Sequence, residues 1–142
     1  MTFFVDANPI VYSATGGEAA ANCLRVLEAV AAGEADGRTS PAVLQEVWHL
    51  SLRRYRGRLD GLVESALTIF SPLLPVTGLG LEQAMKLPAA ASLGAQDRLH
   101  VGTCAVEEIA TILTADRAFD EVPGLTRVDP FDAAAVDRLL AG

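Results

Sequence analysis

In Ala110-Thr-Ile-Leu-Thr-Ala-Asp116, a short apolar run ends next to a carboxylate. The N-terminus has the same form, since the apolar run Thr2-Phe-Phe-Val5 is followed directly by Asp6. Runs of this length, rich in β-branched and aromatic residues, are typical of buried strands. Between them the apolar residues fall mostly at helical spacing, and strands that alternate with helices predict a parallel sheet. The sequence therefore predicts an α/β fold with an acid after each of two strands.

The remaining elements follow the same alternation. Strands are predicted at residues 2–5, 37–39, 73–76, 110–114 and 126–128. The third of these contains a proline, which restricts it to a sheet edge. Helices are predicted at residues 18–32, 59–70, 81–91, 96–108 and 131–140. A further helix begins at Ser40-Pro41, a favourable N-cap followed by a favourable first helical residue, and ends near Tyr55 before a break at Gly57.

Length and composition restrict the class of protein. The 142 residues are the size of one domain, so residues 1–142 are expected to form a single domain. A composition of 51% hydrophobic and 20% charged residues favours a globular chain over a disordered one. Cys23 and Cys104 lie far apart, which excludes a disulfide scaffold and a zinc ribbon. No apolar run is long enough for a membrane span, so we expect a cytoplasmic protein without a membrane partner.

Four acids occupy informative positions. Parallel α/β sheets bind ligands outside the carboxyl ends of their strands, where Asp6 and Asp116 are expected. Asp97 falls in the first turn of a predicted helix, where the helix dipole alone favours an acid. Glu46 lies at the margin of an apolar helix face, where a partly exposed glutamate beside the core is an equally good explanation. Considered separately, Asp97 and Glu46 can therefore be explained without a functional role.

Their joint order is more specific. The chain contains, in sequence, Val5-Asp-Ala-Asn8, Thr39-Ser40 with Glu46-Val47, Gln96-Asp-Arg-Leu-His100, and Leu113-Thr-Ala-Asp-Arg-Ala-Phe-Asp120. This series resembles the PIN-domain ribonucleases, in particular the small VapC-type toxins of prokaryotic toxin–antitoxin pairs. The resemblance covers nearly the whole chain. It implies a three-layer α/β sandwich in which helices flank a central, mostly parallel sheet of about five strands.

The resemblance also implies which acids form the site. Asp6, Glu46 and Asp97 match the three principal acids of the family. Asp116 matches the fourth acid, and Asp120 matches a less regular fifth one. The first four are expected to be catalytic, and a metal ion or its waters are expected at Asp6, Asp97 and Asp116. Glu46 has the longer side chain and is expected either to bind the ion or to orient the attacking water.

Further residues are expected to support the site. Asn8 and Thr114 match polar positions beside the first and fourth acids. Asp120 belongs to this supporting group, although capping of a short helix also explains an acid there. His100 lies one turn after Asp97, close enough to touch the site, but a half-buried structural histidine is the favoured expectation.

Clustered carboxylates indicate a divalent cation. Two carboxylates about 5 Å apart repel each other by roughly 3 kcal/mol at an effective dielectric constant near 20. Four of them stay ionised together only around a cation, and a site of oxygen ligands alone favours Mg²⁺ or Mn²⁺. Such an ion binds phosphate and activates water for an in-line displacement.

The charge of the chain bears on an RNA substrate. Nucleic-acid binders usually carry a basic surface, whereas this chain has a formal net charge of −7. Without the five acids of the expected site, the remainder carries −2, so RNA binding is not excluded. Arginines cluster after the helix that begins at Ser40, namely Arg53, Arg54, Arg56 and Arg58. Arg53 and Arg54 are candidates for contact with RNA phosphates, although a solvated helix C-terminus also explains them.

The leading hypothesis is a metal-dependent endoribonuclease that a cognate antitoxin protein inhibits, the antitoxin being implied by the resemblance. One alternative is a PIN scaffold without activity. Another is a phosphatase with Asp6 as nucleophile, which commonly requires a second acid where this chain has Asn8. Apolar residues crowd the helical segments 18–32 and 42–70 more than one small core requires. We therefore expect a homodimer and an antitoxin-binding groove between these helices.

Overall fold

A four-stranded parallel sheet organises the fold. The computed structural model describes residues 1–55, 58–89 and 91–142. Its strands are β1 (Thr2–Val5), β2 (Asp36–Arg38), β3 (Thr111–Leu113) and β4 (Thr126–Val128), in the order β2-β1-β3-β4. In the centre, Phe4 of β1 pairs with Arg38 on one side and with Ile112 on the other. The strand order reverses between β1 and β3, so this is the point where parallel sheets open a ligand crevice.

In the part of the chain that the structure describes, seven helices surround the sheet. They are α1 (Ala7–Thr15), α2 (Ala20–Ala31), α3 (Pro41–Arg53), α4 (Leu62–Ile69), α5 (Gly78–Met85), α6 (Ala95–Val106) and α7 (Ala133–Ala141). A short 3₁₀ helix, Arg117–Glu121, follows β3. Ser40 caps α3 with its side chain and Pro41 occupies the first turn, as predicted. The break predicted at Gly57 lies outside the described residues.

Both faces of the sheet are covered by helices. Side chains alternate along a strand, so Phe3 and Phe4 point to opposite faces, and both are fully buried. On one face, Gly37 lies against the ring of Phe3 and the side chain of Val30 in α2. On the other face, the ring of Phe4 lies 5.7 Å from the ring of His100 in α6. The predicted α/β sandwich is therefore confirmed.

The predicted strand at residues 73–76 is wrong, and the sheet has four strands instead of about five. The backbone N–H of Leu74 donates to the carbonyl of Thr39, 2.9 Å away, just beyond the end of β2. Leu74 is also buried. Pro72 and Pro75 have no N–H to donate, so this single bond cannot extend into a ladder.

Helix α1 was not predicted, because Asp6-Ala-Asn-Pro9 resembles a turn. A proline in the first turn of a helix costs little, since the N–H groups there have no partner inside the helix. Two predicted helices are also shorter or shifted: residues 59–70 form Leu62–Ile69, and residues 81–91 form Gly78–Met85. Among the described residues, no helix combines the length and the apolar character needed to cross a membrane.

Candidate active site

Four acids meet in one pocket at the carboxyl edge of the sheet. Asp6 follows β1 and caps α1, while Asp116 follows β3 and caps the 3₁₀ helix. Glu46 projects from α3 and Asp97 from the first turn of α6. All four line a pocket of about 270 Å³. The strand-order reversal and two helices thus bring together the acids that the sequence predicts as one group.

Asp6 is buried and held by hydrogen bonds. Its Oδ1 accepts from the backbone N–H of Ala7 at 2.8 Å, and its Oδ2 accepts from the hydroxyl of Thr114 at 2.8 Å. Burial raises the pKa of Asp6 above its usual range, although His100 and these hydrogen bonds act in the opposite direction. A buried carboxylate with a raised pKa favours a nearby cation, which would restore its ionised form.

Thr114 connects two of the acids. Its hydroxyl donates to Asp6, accepts from the side-chain amide of Asn8 at 3.0 Å, and accepts from the backbone N–H of Asp116 at 3.1 Å. The Oδ1 of Asn8 in turn accepts from the backbone N–H of Ala115 at 2.9 Å. Asn8 and Thr114 therefore lie where a supporting role requires them, and their effect on catalysis stays a prediction.

The pocket is electrostatically unfavourable for Asp97. Its pKa is raised to about 6, mainly by burial and next by the negative charge of Asp6, with smaller contributions from Glu46 and Asp116. The acids are thus close enough to oppose each other's ionisation. That is the condition in which a divalent cation binds well.

His100 corrects the expectation of a half-buried structural histidine. It is fully buried, and its Nε2 lies 3.1 Å from Oε1 of Glu46 and 3.9 Å from Oδ1 of Asp6. Burial lowers its pKa, but the hydrogen bond with Glu46 and the charge of Asp6 outweigh burial, and the pKa is raised overall. Its spacing of three residues after Asp97 was the only sequence feature that placed it on the same helix face.

The ligand atoms fit a divalent cation. Asp6, Glu46 and His100 each offer one ligand atom, and these atoms lie within 4.8 Å of one another. This set of ligand atoms includes a nitrogen, whereas the sequence predicted a site of oxygen ligands alone. Carboxylates with one imidazole suit Mn²⁺ at least as well as Mg²⁺. Asp97 and Asp116 line the same pocket outside this closest set.

Comparison with known proteins shows the family. A family model described as PIN domain matches residues 3–125. The chain belongs to the PIN-domain family. The resemblance inferred from the order of the motifs is thereby confirmed.

Relatives of this PIN domain carry ribonuclease names. Two of them are 29% identical over 107 residues, or 73% of this chain and 81% of the relative. They are VapC ribonuclease Mb1869c of Mycobacterium bovis and ribonuclease VapC13 of Mycobacterium tuberculosis. Among solved structures, a chain of VapBC2 from Rickettsia felis, bound to a DNA fragment from its promoter, matches with a TM-score of 0.69 and 17% identity. This match covers 91% of the PIN domain and 98% of that chain, and it supports the fold.

Asp120 does not line the acidic pocket of this PIN domain. Its Oδ1 accepts a hydrogen bond from Nε of Arg127 at 3.0 Å, and its side chain is 55% exposed. The structure thus separates it from the four acids with which the family pattern groups it. Arg127 was not identified from the sequence, because nothing around it indicates a partner seven residues away.

The predicted arginine cluster lies partly at the pocket. Arg54 and Tyr55 line it, and the guanidinium carbon of Arg54 lies 5.4 Å from the centre of the Tyr55 ring. Arg58 approaches the same ring at 5.9 Å. Arg53 is exposed in the last turn of α3 and does not line the pocket, and Arg56 lies outside the described residues.

Proposed function

We propose that this PIN domain is a metal-dependent endoribonuclease and the toxin of a toxin–antitoxin pair. The observation that carries the proposal is the pocket in which Asp6, Glu46, Asp97 and Asp116 converge. The names of the two VapC relatives support RNA as the substrate. A protein that works on cellular RNA agrees with the predicted cytoplasmic location, and two free cysteines suit the same reducing compartment.

The acids would hold Mg²⁺ or Mn²⁺. When bound, the ion supplies a positive charge that binds the phosphate and lowers the pKa of a water. Asp6, Asp97 and Asp116 would bind it or its waters, and Glu46 would bind it or orient the attacking water. His100 would be a further ligand beside Asp6 and Glu46. Thr114 would fix the carboxylate of Asp6 by the hydrogen bond that it donates, and Asn8 would hold Thr114 by donating to its hydroxyl.

Arginines at the mouth of the pocket would bind the RNA backbone. Arg54 lines the pocket next to the acids, and guanidinium groups bind phosphate with paired hydrogen bonds. Arg53 lies one residue earlier, in the last turn of α3, and would contact a phosphate farther along the RNA. Their positive charge opposes the repulsion between the acids and RNA.

The structure disfavours both alternative functions. An aspartyl phosphatase commonly needs an acid two residues after its nucleophile, and Asn8 occupies that position with both ends of its amide in hydrogen bonds. A PIN scaffold without activity would not need the four acids in one pocket. The ribonuclease hypothesis accounts for both observations.

Activity should depend on the divalent cation. We expect the purified protein to cleave RNA in Mg²⁺ or Mn²⁺ and to lose this activity in excess EDTA, because the acids cannot bind an anionic substrate unaided. Calcium should bind but support little turnover, since its looser coordination positions the attacking water poorly. The measurement is cleavage of a labelled RNA in each ion. Unchanged cleavage in EDTA would end the hypothesis.

An apolar groove beside the acids would receive the antitoxin. The groove has a volume of about 710 Å³ and is lined by residues of α3, α5 and α6, among them Glu46, Leu50, Leu81 and Leu99. It shares α3 with the groove predicted from the sequence, but not α2. We propose that an apolar segment of the antitoxin occupies this groove and that a basic residue of it reaches the acids.

A homodimer would cover other apolar side chains. Trp48 and Leu52 of α3 are 56% and 57% exposed, and one turn of helix separates them, so they form one patch. We expect a dimer in sedimentation at micromolar concentration and a small protein that co-purifies from the native host. Leu52→Glu should shift the dimer toward monomer by placing a charge in the patch. A wild-type monomer without a co-purifying protein would contradict both contacts.

A further inference from the structure

The side chain of Arg127 is 11% exposed and does not line the acidic pocket. Its Nη1 donates to the backbone carbonyl of Thr114 at 3.1 Å, and its Nε donates to Asp120 at 3.0 Å. The same Nη1 lies 3.4 Å from Oδ2 of Asp129. A planar guanidinium that contacts three groups in this way is fixed in one orientation. Arg127 therefore links β4 to the segment that follows β3.

Thr114 has no unused hydrogen-bonding group. Its backbone N–H donates to Val128 at 3.1 Å, and its carbonyl accepts from Arg127. Its hydroxyl has one donor, directed to Asp6, and two acceptor positions, used by Asn8 and the N–H of Asp116. The orientation of Thr114 thus determines where the Asp6 carboxylate and the Asp116 backbone lie. Arg127 bonds not only to Thr114 but also to Asp120, six residues further along the chain.

We propose that Arg127 is a positioning residue for the acidic site, and that Asp120 serves it as a support and not as a metal ligand. Arg127 holds the segment from Thr114 to Asp120 at both ends, through a carbonyl and a carboxylate. Asp116 lies between these two anchors and faces the pocket. This inference rests on the proposed metal-dependent nuclease for its effect on catalysis, but not for its effect on metal binding.

The experiment measures Mn²⁺ affinity by electron paramagnetic resonance, together with kcat and KM for RNA cleavage. Arg127→Gln removes the clamp, and we expect Mn²⁺ affinity and kcat to fall by about tenfold or more, the usual effect of losing a group that orients ligands. KM should change little, since Arg127 does not line the pocket. Arg25→Gln is the matched control, because it breaks an exposed ion pair with Asp137 between α2 and α7, away from the acids.

Arg127→Lys separates position from charge. Lysine keeps the positive charge but cannot make the several fixed hydrogen bonds of the guanidinium group. We therefore expect Mn²⁺ affinity and kcat to fall, but by less than in Arg127→Gln. This variant also serves if Arg127→Gln does not fold. Mn²⁺ affinity that rises in Arg127→Gln and is unchanged in Arg127→Lys would show an effect of charge alone and overturn the proposal. So would two Arg127 variants whose Mn²⁺ affinity and kcat equal those of Arg25→Gln.

Asp120→Asn tests the second half of the proposal. Asparagine keeps an oxygen that can accept from Arg127, so Mn²⁺ affinity should fall by less than in Arg127→Gln. A loss as large as that of a pocket acid would show that Asp120 is a ligand. If the wild-type protein cleaves no RNA, the proposed function fails, while the Mn²⁺ titrations still decide the role of Arg127.

Discussion

Asp6→Asn should lower the rate of RNA cleavage by at least about a hundredfold, because even residues that only orient metal ligands contribute ten- to a hundredfold. Asp6 is buried at the end of β1, and both Thr114 and Ala7 orient its carboxylate. Asparagine has nearly the same shape and can still cap α1, but it carries no charge for the cation. Cleavage of a labelled RNA at saturating Mn²⁺ measures the loss.

Asp120→Asn is the matched comparison, since it makes the same chemical change on an acid outside the pocket. It should retain much more activity than Asp6→Asn, and thermal melts should show that both variants are folded. A larger loss of activity at Asp120 than at Asp6 would reverse the assignment of the site.

Asp97→Asn should stabilise the metal-free protein and abolish its activity. The pKa of Asp97 is raised to about 6 by burial and by the charge of Asp6, so its ionised form is unfavourable in the folded state. Removing this charge should increase the free energy of unfolding by about 1–3 kcal/mol in EDTA. Partial exposure of the side chain and the option of protonation favour the lower end of that range.

Mn²⁺ should restore the stability of the wild-type protein relative to Asp97→Asn. The wild-type protein should gain about 2.7 kcal/mol at a hundredfold excess of Mn²⁺ over the dissociation constant, whereas Asp97→Asn should gain much less. Four thermal melts, with each protein in EDTA and in Mn²⁺, measure both effects. A variant that melts below the wild type in EDTA would show that Asp97 mainly stabilises its helix. An equal response of both proteins to Mn²⁺ would remove Asp97 from the site.

The pH dependence supplies an internal control for these melts. The folded-state pKa of Asp97 is about 6, above its ordinary value of 3.8, so the folded protein binds this proton more tightly than the unfolded chain. The ionised Asp97 carboxylate therefore causes no destabilisation at pH values below its ordinary pKa. It develops as the pH rises between the two pKa values and is complete above the folded-state one. In EDTA, the advantage of Asp97→Asn should shrink as the pH is lowered from about 7.5 to about 4.5.

The parts of the fold that rest on local patterns could be predicted from the sequence. The apolar runs before Asp6 and Asp116 are buried neighbouring strands, because the carboxyl ends of parallel strands share one edge. The Ser40-Pro41 start of α3 followed from capping preferences alone. The predicted strand at residues 73–76 failed because its composition suits a strand, while Pro75 within it and Pro72 before it prevent the pairing that a strand needs.

The contacts that organise the site have no local pattern. His100 meets Glu46 from 54 residues away, and only the packing of α6 against α3 makes them neighbours. Likewise, Arg127 and Asp120 look like two separate surface charges until β4 pairs with β3. The family pattern grouped the four pocket acids with Asn8 and Thr114, whereas the contacts of His100 and Arg127 required the three-dimensional structure.

The pairing of β1 with β3 has a consequence for the timing of synthesis. The bond between Thr114 and Asp6 joins residues 108 positions apart, so the strands that carry the site meet only after most of the chain has been translated. Chains emerge from the ribosome N-terminus first, at roughly 5–20 residues per second. A nascent chain that ends before β3 contains Asp6, Glu46 and Asp97 but has no Asp116 beside them. The acidic pocket is therefore incomplete until Asp116 has been added to the nascent chain.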